Sequence, residues 1–278
     1  MNPRILTAII ALPILIASIT LPAYIPQTSL LFVAIVAFAI GAGLYEFFLM
    51  SKKMQLKADA SVAYIGAIAF FIAFYFDAPK NEPDLLTITS VLFVILVLIT
   101  QTFRFQNNFD KLLQGVGVTI LGVFYVAFLG GFIVSLRTGF DSILSTKLLS
   151  YFILVIFASD SGAYFVGKQF GKHKLVPKIS PNKTWEGLIG GIVVSLGLAA
   201  VASATFFSEL PYKFSLPLAF VMVIFGVLGD LAESAIKRST GTKDAANILP
   251  GHGGLLDRLD SLLFNAPILY YFARFYFG

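Results

Sequence analysis

The sequence predicts an all-α polytopic integral membrane protein, a helix bundle of about nine transmembrane helices with a cytoplasmic N-terminus. Three observations predict it. Of 278 residues, 58% are hydrophobic and only 13% charged, against about 25% charged in a soluble domain. Apolar stretches near the length of a bilayer span recur from end to end, and a helix needs roughly 20 such residues to cross about 30 Å of hydrocarbon. The stretches are continuous rather than alternating with period two, which selects helices over a barrel.

Spans are read near residues 4–22, 28–49, 61–76, 85–101, 112–136, 148–167, 187–207, 216–236 and 262–277. The third, fourth and ninth are short for a crossing. The first follows Arg4 as a signal peptide would, yet no small-residue cleavage site follows cleanly and Pro22 and Pro26 bound a turn, so a retained span is expected. No internal repeat or low-complexity linker divides the chain, and residues 1–278 are read as one membrane domain. Residues 1–147 carry no diagnostic motif; residues 148–278 hold the segments with chemistry.

Basic residues orient the bundle. With the N-terminus in the cytoplasm, only Lys80, Arg137, Lys147, Lys213 and Arg274 of the 20 Lys and Arg fall on the outer side. Both long polar segments, near 168–186 and 237–261, then face the cytoplasm. The short loop from Asp77 to Asp84 is acidic on balance and falls outside. This topology accounts for most of the net charge of +5, and no nucleic-acid partner is expected. The absence of cysteine removes disulfides, thiolate metal ligands and a cysteine nucleophile. Two separated histidines, His173 and His252, are a poor basis for a zinc site.

Asp230, Glu233, Ser234 and Lys237 recur at i, i+3, i+4 and i+7 and share one helix face. Charge at mid-bilayer costs some ~2.5–3.5 kcal/mol per group, so that face is expected to look into the bundle or a wet cavity. The plainer alternative is an interfacial helix end with Asp230 bonded to Ser234 and Glu233 to Lys237. Asp257 and Asp260 follow, three apart, so a helix there would set both carboxylates on one side. With Asp244 and Asp230 they could gather several oxygen ligands of the kind a hard cation such as Mg2+ prefers. Gly251, Gly253 and Gly254 permit tight turns that present N–H groups to an anion. Lys237, Arg238, Lys243 and Arg258 add positive charge. Acids, bases and glycines together describe a metal–phosphate site. A basic loop touching anionic lipid headgroups would explain the bases but not the acids among them.

Upstream, Asp160 stands in an otherwise apolar run, one turn from Tyr164 and two from Lys168. Ser180, Asn182, Lys183, Thr184 and Glu186 form a dense polar cluster before the seventh span. Ser180-Pro181 signals a turn, and Thr184 either caps the next helix or binds substrate. Trp185 reads as an interface anchor. His252, between glycines, is a phosphate donor or a plain loop residue.

The run from Ser234 to Asp260, SAIKRSTGTKDAANILPGHGGLLDRLD, resembles the signature of the phosphatidate cytidylyltransferases, the CDP-diacylglycerol synthases. Its pattern is S-x-apolar-K-R, four residues, K-D, then P-x-H-G-G and D-R-x-D, and every fixed position is met. DSGAY (Asp160 to Tyr164), GKHKL and SPNKTWEG resemble the family's upstream cytoplasmic segment. The resemblance covers roughly the C-terminal half. It implies that CTP and phosphatidic acid give CDP-diacylglycerol and pyrophosphate, in phospholipid biosynthesis and with Mg2+. It implies Asp230, Asp257 and Asp260 as metal ligands, with Asp160 and Asp244 as further candidates. Lys237, Lys243, Arg258 and Lys183 would neutralise phosphates. Gly253 and Gly254 would lend N–H groups, and Ser180, Asn182, Thr184, Arg238 and His252 would contact substrate. A homodimer and a bacterial-type inner membrane, with the site facing the cytoplasm, are expected as well.

Three rivals remain at this point. A CTP-dependent lipid kinase of the dolichol or phytol type would share a polytopic bundle and a nucleotide site. A CDP-alcohol phosphatidyltransferase would carry a D-G-x-x-A-R signature, which is absent. A transporter would place charge near mid-membrane on broken helices, whereas the charges here gather at one face.

Overall fold

The computed structural model describes residues 3–76, 84–106, 109–242 and 253–278, with side chains described from residue 9 onward. The helices are α1 (Pro3–Thr20), α2 (Ser29–Lys53), α3 (Ala60–Phe76), α4 (Leu85–Arg104), α5 (Leu112–Gly122), α6 (Leu129–Thr138), α7 (Ser142–Phe170), α8 (Trp185–Ala204), α9 (Tyr212–Ser239) and α10 (Leu256–Phe277). A π-helical stretch, Val123–Phe128, joins α5 to α6 without a break. A two-stranded antiparallel hairpin, β1 (Lys174–Val176) and β2 (Ser180–Thr184), links α7 to α8.

Every expected span falls on one of these helices or on the α5–α6 rod. Six helical segments among the described residues are long and apolar enough to cross a membrane, and α3 is a shorter apolar helix. Large apolar side chains such as Leu30, Phe38, Ile68, Leu92 and Val193 are exposed on the outside of the bundle. In water such a surface would drive association; in a bilayer it meets lipid tails of its own kind. The chain is an all-α membrane bundle.

Two helix limits depart from the sequence reading in a way that matters. α9 runs to Ser239 and α10 begins at Leu256, so both charged ends of the polar segment near 237–261 are helical. Hydropathy marks where a helix leaves the hydrocarbon, not where its hydrogen bonding stops. The segment read as a loop near 168–186 contains the hairpin, whose second strand, SPNKT, lacks the alternation that announces a strand.

Between membrane helices burial of oil gives little drive, so close backbone approach and interhelical hydrogen bonds carry the association. On α8, a Cβ added at Gly187 would lie 2.9 Å from the Ala163 carbonyl of α7, and one at Gly191 would lie 2.9 Å from that of Ser159. Ser195 Oγ donates to the Val155 carbonyl at 3.0 Å. On α9, a Cβ at Gly229 would lie 2.5 Å from the Asp260 carbonyl of α10, and Ser261 Oγ donates to the Gly226 carbonyl at 3.2 Å. Elsewhere the core is aromatic: Phe70, Phe74, Phe93, Phe124, Phe128 and Phe132 form a chain of mostly edge-on contacts linking α3, α4, the π stretch and α6.

Candidate active site

The glycine contacts just described draw α7 to α8 and α9 to α10, Ser215 Oγ of α9 donates to the Ala199 carbonyl of α8 at 3.2 Å, and β2 lies over them. A cavity of about 420 Å³ opens there. Asp160 of α7, Lys183 of β2, Asp230 of α9, and Asp257, Arg258 and Asp260 of α10 supply its charged wall. Ser180, Asn182 and Thr184 line it as well. Nine of the residues singled out from sequence thus meet in one place, although they come from segments separated by apolar spans.

Local structure explains how each is held. Thr184 is the N-cap of α8, its Oγ1 accepting the Gly187 N–H at 3.1 Å. Glu186, in the first turn, accepts the N–H groups of Lys172 and His173 at 3.1–3.2 Å and sits 2.6 Å from His173 Nδ1. The hairpin base is thereby locked to α8, and Lys183 is carried to α9. Its Nζ lies 2.7 Å from Asp230 Oδ2. Ser234 Oγ donates to Asp230 Oδ1 at 3.2 Å, one of the two intrahelical contacts expected of this face. The other is present too: Lys237 Nζ lies 2.5 Å from Glu233, and it also reaches Asp257 Oδ1 at 2.6 Å. Glu233 is fully buried, so the charged face does look into the bundle. Asp257 Oδ2 accepts the Gly254 N–H at 2.9 Å.

Other predicted residues stand apart from the cavity wall. Lys237 serves as the cation between Glu233 and Asp257. Arg238 Nε donates to the Ile179 carbonyl at 3.2 Å and ties the hairpin to α9. Gly253 has φ +80, a left-handed conformation that favours glycine, and with Gly254 it leads into α10. Lys243, Asp244, Gly251 and His252 lie outside the described residues, as does most of the loop from Asp77 to Asp84.

Acids outnumber bases in the wall. Asp160, Asp230 and Asp260 lie within electrostatic reach of one another, opposed by Lys183 and Arg258. All the donors are oxygens, which fits a hard divalent cation. Among the described residues no group of three His, Cys, Asp or Glu side chains is gathered closely enough to hold an ion unaided. Mg2+ commonly takes only one or two carboxylates and completes its shell with water and substrate phosphates. No histidine lines the cavity among the described residues.

A second cavity, of about 610 Å³, runs inside the bundle between α1, α2, α6, α7 and α10. Its walls are mostly apolar, among them Leu15, Phe32, Val36, Ile133 and Phe152. It shares Asp160, Asp257, Arg258, Asp260 and Ser261 with the polar cavity. An oily chamber and a charged one therefore meet at one ring of side chains.

Sequence reasoning passed over two residues here. Glu46 of α2 is fully buried and accepts the N–H groups of Leu255 and Leu256 at 2.9 and 2.6 Å. Its signal was available: a lone acid inside an apolar span. Tyr125, in the π-helical stretch, buries its hydroxyl without a hydrogen-bond partner, on the side facing Glu233 and the aspartates. Nothing in its apolar sequence surroundings distinguished it.

Comparison with known proteins adds an independent line. A model of the cytidylyltransferase family matches residues 2–276. A phosphatidate cytidylyltransferase of Bacillus subtilis is 38% identical over 277 residues, 98% of this chain and 97% of that protein. One of Staphylococcus haemolyticus is 35% identical over 269 residues, 97% of each. One of Haemophilus influenzae is 46% identical over 134 residues, 47% of this chain and 46% of that protein.

Proposed function

This chain belongs to the cytidylyltransferase family, and from that premise we infer that it transfers the cytidylyl group of CTP to phosphatidic acid, giving CDP-diacylglycerol and pyrophosphate. The observation that carries this reading is the meeting of the two cavities at Asp160, Asp257, Arg258, Asp260 and Ser261. The reaction joins a water-soluble polyanion to a headgroup whose tails stay in oil. A charged chamber opening onto an apolar one suits both at once.

The chemistry matches what the site has. A phosphate oxygen of phosphatidic acid attacks the α-phosphorus of CTP. A new P–O bond forms, the bond to the β-phosphate oxygen breaks, and pyrophosphate leaves with that electron pair. A phosphomonoester with a second pKa near 6 is largely ionised at neutral pH, so no general base is required to generate the nucleophile. The obstacle is an anion approaching a polyanion, and catalysis is then chiefly positioning and charge neutralisation. Lys183 and Arg258 offer positive charge from the cavity wall. Lys237 holds Asp257 in place from behind.

Mg2+ is the proposed cofactor, with Asp160, Asp230 and Asp260 as its ligands and Asp257 a further one. When bound, it would neutralise charge on the reacting and leaving phosphates. The bias of Lys and Arg supports a site facing the cytoplasm, and the bacterial relatives support an inner membrane. The homodimer implied by the resemblance belongs to the same proposal, tested by the mass of the detergent-solubilised particle.

The deciding experiment supplies purified protein in detergent with phosphatidic acid, CTP and Mg2+, and follows pyrophosphate and the lipid product together. Both are expected, in equal amounts, and both vanish on adding EDTA. Folded protein that yields neither, but phosphorylates a lipid alcohol with CTP, would overturn the reading.

A further inference from the structure

We propose that Glu46 is a positioning residue for this reaction, setting from α2 the start of α10 and with it Asp257, Arg258 and Asp260. The inference rests on the activity assigned above and adds a residue from the half of the chain that carries no motif.

A carboxylate with no exposed surface inside a membrane span is costly unless fully compensated. Among the described residues, Glu46 is compensated by one stretch of backbone, at the start of α10. Oε1 accepts the Leu255 N–H at 2.9 Å, and Oε2 accepts the Leu256 N–H at 2.6 Å. These are the first orphan donors of α10, where the helix dipole is positive. The helix has no cap of its own, since Leu255 stands at the N-cap position and offers no side-chain acceptor. A side chain more than 200 residues earlier in the chain thus does what a local Ser, Thr or Asp does elsewhere.

The contact continues into the site. The preceding donor, the Gly254 N–H, goes to Asp257 Oδ2, and Asp257 Oδ1 accepts from Lys237 Nζ. On the same face of α2, a Cβ at Gly43 would lie 3.5–3.6 Å from the side chains of Leu259 and Leu256, so α2 rests directly on the first turns of α10. Further along, α10 is held to α9 by Gly229 and by Ser261 with Gly226. Loss of Glu46 therefore leaves the helix docked and frees only its first turn, the turn that carries Asp257 and Arg258.

The test compares wild type with Glu46→Gln in the pyrophosphate-release assay, together with thermal unfolding in detergent. The amide keeps the shape but turns an NH2 group towards one of the two N–H donors. We expect kcat to fall on the order of 10- to 100-fold, the scale of a misplaced reacting group, with KM for phosphatidic acid and the unfolding midpoint unchanged. Combined with Asp257→Asn, the two losses should not multiply, because both act through the same turn. Leu255→Pro, at φ −73, removes one of the N–H partners in a conformation proline accepts, and should reproduce the loss. It decides alone if Glu46→Gln yields no folded protein. An active wild type with an equally active Glu46→Gln overturns the inference, as do losses that multiply or that track the amount of folded protein. A folded wild type without activity overturns the functional reading, and this inference with it.

Discussion

Lys183 and Asp230 meet in the wall of the polar cavity at 2.7 Å, joining the β-hairpin to α9. The pair is partly exposed, so its direct worth to stability is small. Its weight lies in where it puts a cation beside a site for phosphates. Lys183→Met should leave the unfolding midpoint near wild type while raising KM for CTP and lowering kcat, together on the order of 10²–10³-fold in kcat/KM, the scale of removing one electrostatic stabiliser. Steady-state kinetics with CTP varied check this; unchanged constants would make Lys183 a hairpin fastener only.

Asp260 reaches into both cavities and lies against the backbone of Gly229. Asp260→Asn keeps the shape and removes the charge. Turnover should be abolished, with expression and membrane insertion intact. Isothermal titration of Mg2+ in the presence of CTP should show weakened binding relative to wild type. Wild-type turnover would remove Asp260 from the metal ligands.

Gly229 and Gly197 make a matched pair. A Cβ at Gly229 would fall 2.5 Å from the Asp260 carbonyl, whereas one at Gly197 meets nothing within 4 Å. Gly229→Ala must push α10 from α9 and should cost on the order of 10²-fold in kcat. Gly197→Ala should be neutral or slightly stabilising, since alanine is the better helix former by about 1 kcal/mol. Equal activities for the two variants would show that the α9–α10 spacing is not critical.

Lys237 is shared by Glu233 and Asp257. Lys237→Met leaves a fully buried carboxylate without its cation, a change that costs about 3–5 kcal/mol when one partner of a buried pair is removed. Thermal unfolding in detergent should show a marked drop. Adding Glu233→Leu should recover stability without recovering turnover, because Asp257 still lacks its tether. Recovered turnover would mean that Lys237 serves the fold alone.

Much of this architecture is legible in the sequence because lipid imposes one rule on every span. Continuous apolar runs, and Lys and Arg gathered on alternate connections, reveal helices without any tertiary knowledge. The spacing of Asp230, Glu233, Ser234 and Lys237 likewise reveals a buried polar face, because one helix suffices to define it. What stays hidden depends on neighbours. Lys183 finds Asp230 only through a hairpin whose strands carry no alternation. Glu46 gains its meaning from N–H groups on a helix at the other end of the chain. Thr184 shows the middle case: its capping role was visible, but its place in the cavity wall required α7 and α9.

The shared rim between the oily and charged chambers also bears on how the rate should be controlled. Phosphatidic acid would reach Asp260 by moving within the leaflet, past α1, α2 and α7, without passing through water. The protein would then sense how crowded the substrate is among its lipid neighbours, not how much is present per litre. Diluting phosphatidic acid with inert phospholipid at constant total amount should slow turnover in proportion, whereas diluting whole vesicles at fixed composition, with the enzyme reconstituted in them, should leave turnover per molecule unchanged. CTP would obey ordinary bulk concentration. One catalytic centre would thus answer to two kinds of density at once, one counted over an area and the other in a volume.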